Sequence, residues 1–485
     1  MSNKIHLQPR DREEIMTLLK EHVPEVEVWA YGSRVNGQSH DASDLDLVLR
    51  GPSLEKIPSL QLADLKEAFT ESNIPFFVEA RDWARLPESF HIEIESNFAE
   101  LQFPSIVTYA FEDLATLVRD NVSPSDCSEV PYIGLEHIGE ATLSLSGVGI
   151  ASDVKSTKLS FRPGDILFGK LRPYFKKVVQ PSFAGICSSD IWVIRPTKLI
   201  DTRYLFFILS TQEFVDYAMQ GSAGTRMPRA QWDHVSNFEV NLPPMREQQR
   251  IANILGALHD KIELNRRMIQ TLEDMARLLY REWFVHFRFP GHEDVKLVDS
   301  DLGLIPEGWE VCYLSDVLEL TYGKSLKADK RMGGPVSVYG SGGQVGWHNE
   351  ALVAGPGIVV GRKGNVGSVY WSDHDFFPID TTYYVKSKLP FRYLDQMLRT
   401  QKFLDSHAAV PGLSRDQAYG LRFARPDDSF LSEYELMVQP IYDLRKNLIQ
   451  QNLLLCKTRD HLLPRLLSGE LDVSELDLDL ELAAT

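Results

Sequence analysis

Two stretches of the chain carry apolar residues at alternating steps of three and four. The first, over about 246–284, places Ile251, Leu255, Leu258, Ile262, Asn265, Ile269, Leu272, Ala276, Leu279 and Trp283 on one stripe. That spacing predicts a long helix with a coiled-coil seam. The second, over about 432–468, repeats the pattern with Ile441, Leu444, Leu448, Leu455, Leu462 and Leu466. Asn265 and Asn452 stand near the middles of the two stretches, where a polar residue lowers stability but fixes register. Matching lengths and matching asparagines predict that the two helices pair. At about 1.5 Å per residue, each would span roughly 58 Å.

Between the helices the pattern changes to short β-branched and aromatic runs broken by glycines, as in Tyr339-Gly-Ser-Gly-Gly343 and Gly361-Arg-Lys-Gly-Asn-Val-Gly367. Such punctuation predicts strands and turns. These runs recur with a period near 190 residues. Gly164-Asp-Ile-Leu-Phe-Gly-Lys170 answers Gly357-Ile-Val-Val-Gly-Arg-Lys363, and Ser188-Ser-Asp190 answers Pro378-Ile-Asp380. Arg229-Ala-Gln231 matches Arg415-Asp-Gln417, and each copy then enters one of the long helices. Several matches in one order, closing on the same kind of helix, indicate an internal duplication. Residues 290–309, with Pro290-Gly-His and a charged stretch, read as a linker.

At 485 residues the chain is too long for one core. Cys127, Cys187, Cys312 and Cys456 lie far apart without a Cys-x-x-Cys pair, which argues against a zinc ribbon or disulfide framework and fits a reducing cytoplasm. The polar start, Met1 to His6, lacks the apolar stretch of a signal peptide, and no run has the roughly 18 apolar residues of a membrane helix. A net charge of −17 sits badly with a DNA partner, whose phosphates usually dominate affinity. Its distribution softens the objection. Residues 1–104 carry a net −9 and residues 469–485 a net −6, leaving the body between them close to neutral.

The first hundred residues follow a different pattern. Val26-Glu-Val-Trp-Ala-Tyr31 reads as a strand ending at Gly32-Ser33, and Ser43-Asp44-Leu45-Asp46-Leu47-Val-Leu49 as a second strand. Gly-Ser, ten residues, then Asp-x-Asp resembles the minimal nucleotidyltransferases of the polymerase-β type. Backbone N–H groups at Gly32 and Ser33 can cradle a triphosphate. Asp44 and Asp46, two apart on a strand, point to one face and can share a divalent cation. The resemblance implies a third carboxylate, and Glu79 in Phe76-Phe-Val-Glu79 takes that place where the family usually has Asp. Mg²⁺ and a nucleoside triphosphate are the implied cofactors, with Asp44, Asp46 and Glu79 as catalytic and metal residues. The competing reading is a retired enzyme kept as a docking domain. His40, beside Asp41, reads as a solvated loop residue.

Other motifs fail. Gly323-Lys-Ser325 lacks the earlier glycine of a phosphate loop, since Leu318 stands there. Gly361, Gly364 and Gly367 lack the dinucleotide-binding spacing. Asn241-Leu-Pro-Pro244 is similar to the Asn-Pro-Pro-Tyr signature of adenine methyltransferases, but the inserted leucine and missing aromatic break it.

From about 105 to 475 the chain resembles the specificity subunit of type I restriction-modification systems. The phrases that carry this are Leu302-Gly-Leu-Ile-Pro-Glu-Gly-Trp309, Gly164-Asp-Ile-Leu-Phe-Gly-Lys-Leu-Arg-Pro-Tyr174, Leu242-Pro-Pro-Met-Arg-Glu-Gln-Gln-Arg250 and Leu462-Leu-Pro-Arg-Leu-Leu-Ser-Gly-Glu470. The expected fold is α+β and multidomain: an α/β nucleotidyltransferase-like domain (1–104), two α/β target recognition domains (105–245 and 310–431) separated by two long antiparallel coiled-coil helices (246–289 and 432–470), a linker (290–309) and an acidic tail (471–485). The resemblance implies a bipartite double-stranded DNA site, two methyltransferase subunits and restriction subunits as partners, and no membrane. It implies no cofactor for recognition, with S-adenosylmethionine only on partner subunits and methylation and cleavage left to them. Base readout needs donors on firmly held loops. The candidates are Lys170, Arg172, Lys176 and Arg226 in the first module and Arg362, Lys363, Asn365 and Arg415 in the second. The rival expectation is an adenylylating enzyme of a defence or toxin-antitoxin system, localised by a DNA-binding module.

Overall fold

The computed structural model describes residues 5–40, 43–51, 54–102, 106–224, 226–403, 412–471 and 473. The acidic tail expected at 471–485 therefore lies, except for Leu471 and Val473, outside the described residues. The chain divides into two compact units, Met1–Asp260 with Cys456–Thr485, and Lys261–Leu455.

The first unit opens with α1 (Pro9–His22), β1 (Glu27–Tyr31), β2 (Leu45–Arg50), α2 (Ser59–Glu71), β3 (Val78–Asp82), α3 (Glu88–Ser96) and β4 (Phe98–Gln102). The sheet order is β3-β2-β1-β4, with β2 and β3 parallel and the other pairs antiparallel. Strand alternation decides what each face does. Leu45, Leu47 and Leu49 are fully buried in a core shared with Ile15, Leu19, Leu65 and Phe69 of α1 and α2. Val48 belongs instead to an aromatic cluster with Trp29, Tyr31 and Trp83.

The first β-rich module follows: β5 (Val107–Ala110), α4 (Phe111–Leu114), β6 (Ala115–Val118), β7 (Asn121–Val122), β8 (Pro131–Ile133), β9 (Gly149–Ile150), β10 (Lys158–Phe161), β11 (Ile166–Gly169), β12 (Val178–Val179), β13 (Gly185–Cys187), β14 (Ile191–Pro196), α5 (Thr202–Leu209), α6 (Gln212–Gln220), α7 (Trp232–Val235) and β15 (Glu239–Leu242). Its sheets run β12-β11-β14-β6 and β7-β10-β13-β8-β9, and β5 pairs with β15. Ile166, Phe168, Trp192 and Ile194 form one core with the buried residues of α5. From β15 the chain enters α8 (Met245–Tyr280).

In the second unit a hairpin, β16 (Leu297–Ser300) with β17 (Gly303–Pro306), occupies part of the expected linker. The second module then comprises β18 (Glu310–Tyr313), α9 (Leu314–Val317), β19 (Leu318–Tyr322), β20 (Val336–Gly340), β21 (Gly343–His348), β22 (Gly357–Gly361), β23 (Val369–Ser372), β24 (Phe376–Pro378), β25 (Thr382–Ser387), α10 (Phe391–Thr400), α11 (Arg415–Tyr419) and β26 (Arg422–Arg425), before α12 (Asp428–Leu467). Its main sheet, β23-β22-β25-β19, repeats the order β12-β11-β14-β6. Parallel β20–β24 answers parallel β8–β13, and β18–β26 answers β5–β15. The duplication in the sequence is thus a duplication of the fold.

Ladder registers refine that duplication. Gly169 pairs with Ile191 and Gly361 with Thr382, so Lys170 is level with Arg362 rather than with Lys363. Leu171 bridges Arg229 and Lys363 bridges Gly412, so Arg229 corresponds to Gly412 rather than to Arg415.

The two long helices pair antiparallel, as expected. In the first unit Ile251 and Leu255 share a core with Leu463 and Leu466. In the second, the fully buried Asn265 donates its Nδ2 to Asn452 Oδ1 at 2.9 Å, and Tyr280 packs against Tyr434. The α8 stripe lies where the spacing put it, and on α12 Leu448 and Leu466 are buried as expected, but Leu444 is not. Leu444 is 43% exposed, and Arg445 takes the seam position, bonded to Glu273 (2.8 Å) and Asp373 (3.1 Å). Replacing Asn452 with Ala removes the nearer acceptor of the buried Asn265 amide, leaving only Gln451 Oε1 at 3.4 Å. The expected loss is about 1–3 kcal/mol of stability, read as a lower urea midpoint; an unchanged midpoint would contradict the seam role.

Candidate functional site

In the first module the chain leaves β11 at Gly169 and turns through residues 170–177 into β12. Lys170 is fixed on both sides: its N–H donates to Asp190 O (3.0 Å), and its carbonyl accepts from Ala230 N–H (2.9 Å). Arg172 (φ 53°) and Lys176 (φ 49°) both adopt left-handed backbone, which a non-glycine residue holds only when its surroundings impose it. Arg172 N–H donates to Pro228 O at 2.8 Å, tying this turn to the segment that carries Arg226. The Arg172 Nε is buried without a hydrogen-bond partner. Arg226 is exposed and Lys176 half-buried. All four candidates thus belong to one pair of loops joined by backbone bonds.

In the second module the same construction recurs. Arg362 N–H donates to Thr381 O (2.9 Å), and Leu413 N–H donates to Arg362 O (2.8 Å). The Arg362 and Arg415 guanidinium groups lie 5.0 and 4.8 Å from the Tyr322 ring centre, within cation–π range. Lys363 and Asn365 are exposed on the same Gly361–Gly367 turn. Burial, then the bond and charge of neighbouring Tyr322, push the Tyr383 phenol up to about 12 against the opposing pull of the two arginines. Tyr383 therefore stays a neutral donor at physiological pH.

The N-terminal candidates gather at the end of β1 and the starts of β2 and β3. Tyr31 lies opposite Asp46, and Asp46 opposite Glu79 on the parallel neighbour. Gly32 has φ +76°, and a Cβ there would sit 2.5 Å from Asp46 Oδ2, so only glycine permits this approach. Ser33 is half-buried and Asp44 exposed, just ahead of β2. Sequence reasoning missed Arg81, which bonds Glu79 at 2.8 Å. Among the described residues no three His, Cys, Asp or Glu side chains are grouped to hold a metal ion. Asp46 and Glu79 nevertheless lie side by side on neighbouring strands, with Arg81 paired to Glu79.

Burial, with the negative charge of Glu79, raises the Asp46 carboxyl above its ordinary range despite the opposing Arg81. As pH rises the unfolded chain then loses this proton first, so ionisation of Asp46 works against folding. Asp46→Asn is expected to melt above the unaltered protein at pH 7, the difference closing below about pH 3. Equal melting temperatures at pH 7 would contradict this.

Residues 128–274 match the type I restriction modification DNA specificity domain. The MjaIX specificity subunit of Methanocaldococcus jannaschii is 23% identical over 319 residues, covering 58% of this chain and 72% of that one. The chain is thus similar to type I specificity subunits, through the matched domain and over 58% of its length. Its N-terminal region is similar to the probable protein adenylyltransferase MntA of Haemophilus influenzae, 41% identical over 88 residues, or 18% of this chain and 75% of MntA. The S subunit of M. genitalium aligns with 74% of this chain and 95% of its own at 15% identity, with a TM-score of 0.44. The chain thus joins a type I specificity domain to a nucleotidyltransferase-like N-terminal region. Among its described residues no helix is long and apolar enough to cross a membrane.

Proposed function

We propose that this chain reads a bipartite double-stranded DNA site, one half with each module, for a type I restriction-modification complex in the cytoplasm. The observation that carries the reading is the duplicated module, with loop cations held by the same backbone bonds at Lys170 and Arg362. Phosphate contacts would set affinity, and the loop donors would set sequence preference. Two methyltransferase subunits would dock on α8 and α12, bringing S-adenosylmethionine with them, and restriction subunits would join that assembly. Affinity purification of the full chain from its host tests the partners. A methyltransferase subunit should copurify, and the complex should lose DNA affinity steeply with salt, by roughly 10³-fold or more between 50 and 200 mM. A chain that brings down no methyltransferase would contradict the proposal.

A second reading concerns the N-terminal domain alone and is favoured by its likeness to a probable protein adenylyltransferase. Gly32, Ser33, Asp44 and Asp46 would serve nucleotide and metal, whereas Arg81 on Glu79 argues for a docking role without turnover. Label transferred from ATP with Mg²⁺, and abolished in the Asp44→Asn, Asp46→Asn double variant, would establish the enzyme. No label on the chain or its partners would leave the docking role.

A further inference from the structure

Each module carries four side chains at one equivalent place, two cationic and two aromatic, and between the modules two positions have exchanged kind. The ladders fix the equivalence. Trp192 of β14 pairs with Phe168, as Tyr383 of β25 pairs with Val360. Val118 lies opposite Val193, as Thr321 lies opposite Tyr384. The next residues, Arg119 and Tyr322, therefore correspond. Lys170 corresponds to Arg362, as the backbone bonds above require. Trp232 and Arg415 are the first residues of α7 and α11, each following the segment that bonds back to Lys170 or Arg362.

In the first module the set is Arg119, Lys170, Trp192 and Trp232, lining one open cavity of about 680 Å³ with the two indoles edge to face at 5.5 Å. In the second it is Tyr322, Arg362, Tyr383 and Arg415. Here the Tyr322 and Tyr383 rings are 5.0 Å apart, and both guanidinium groups lie against Tyr322. Among the described residues neither arginine meets a carboxylate, so stacking on the ring orients them while their N–H edges remain available. A guanidinium so oriented matches the O6 and N7 acceptors that guanine presents in the major groove.

We infer that the cationic members of each set fix the base preference of its half-site, and that Arg362 and Arg415, held by Tyr322, read guanine in the half-site of the second module. This rests on the DNA-reading role proposed above. Tyr322 acts as a positioning residue, since its ring places the two donors.

The test is enrichment of duplexes from a random library by the full chain in complex with its methyltransferase subunits, followed by sequencing. The unaltered complex should enrich a two-part motif with guanine in one half. Arg362→Gln and Arg415→Gln should each lose guanine preference at a position of that half by roughly tenfold to a hundredfold, leaving the other half intact. Lys170→Gln should alter the other half instead. Tyr322→Phe, which keeps the ring, should retain the motif, and Tyr322→Leu should broadly relax the same guanine positions. A motif without guanine in the second module's half, arginine variants with an unchanged motif, or arginine variants that blur both halves equally would overturn the inference. No enrichment by the unaltered complex would overturn the DNA-reading role itself. A two-part motif that survives the arginine substitutions would overturn only the present inference.

Discussion

Replacing residues 310–425 with the second module of another specificity subunit is expected to change one half of the recognised site and leave the other as it was. The graft has natural ends, because Glu310 pairs with Arg425 where β18 and β26 bring the start and finish of the module together. It must keep the surface that meets the helices, where Tyr393 of α10 lies in one core with Tyr280, Phe284 and Tyr434. Each mismatched base pair costs about 1–3 kcal/mol. A half-site of several pairs should therefore shift preference by roughly a thousandfold or more, read as methylation of plasmids carrying either version of each half. A chimera that alters both halves would mean the modules do not read independently.

Substituting Asp395 with Ala is expected to cost the second unit more stability than substituting Asn452. Asp395 is 2% exposed and accepts hydrogen bonds from the Tyr442 hydroxyl (2.6 Å), Arg399 Nε (3.0 Å) and Gln396 Nε2 (3.2 Å). It thereby joins α10 to α12. Without the carboxylate, the buried Tyr442 hydroxyl and the Arg399 guanidinium both lose their acceptor. A fully buried pair broken on one side costs about 3–5 kcal/mol, but the Arg399 side chain is 38% exposed and water recovers part of that. We expect about 2–4 kcal/mol, with Asp395→Asn losing less because it keeps an acceptor oxygen. A urea midpoint for Asp395→Ala equal to that of the unaltered protein would show that this network does not hold α10 on α12.

The parts of the fold that follow from side-chain periodicity could be read directly, and those that depend on strand pairing could not. The stripe from Ile251 to Trp283 is the buried face of its helix because alternating steps of three and four place side chains on one line. On α12 the same rule chose Leu444, but the seam holds Arg445 there and the 1%-exposed Arg459 further on. Apolar counting cannot foresee a buried arginine satisfied by Glu273 and Asp373. The repeat was legible as three phrases and a closing helix, yet its register was one residue off at Lys170 and three at Arg229. Only the ladders show which backbone groups meet. In the N-terminal domain the resemblance put Glu79 with the two aspartates and the ladder sets it opposite Asp46, whereas the Arg81 side chain that engages Glu79 left no mark in the spacing of acids. The two cation and aromatic sets escaped notice because their members, such as Arg119 and Trp232, are far apart in sequence and exchange chemical kind between copies.

The most direct measurement of the central claim is the map of methylated positions in host DNA with and without this chain. Two look-alike modules, one for each half-site, predict that one class of methylated motif disappears with the chain, made of two short specific parts separated by a gap of fixed length. A methylation pattern unchanged by its removal, or a lost motif that is short and continuous, would contradict the account.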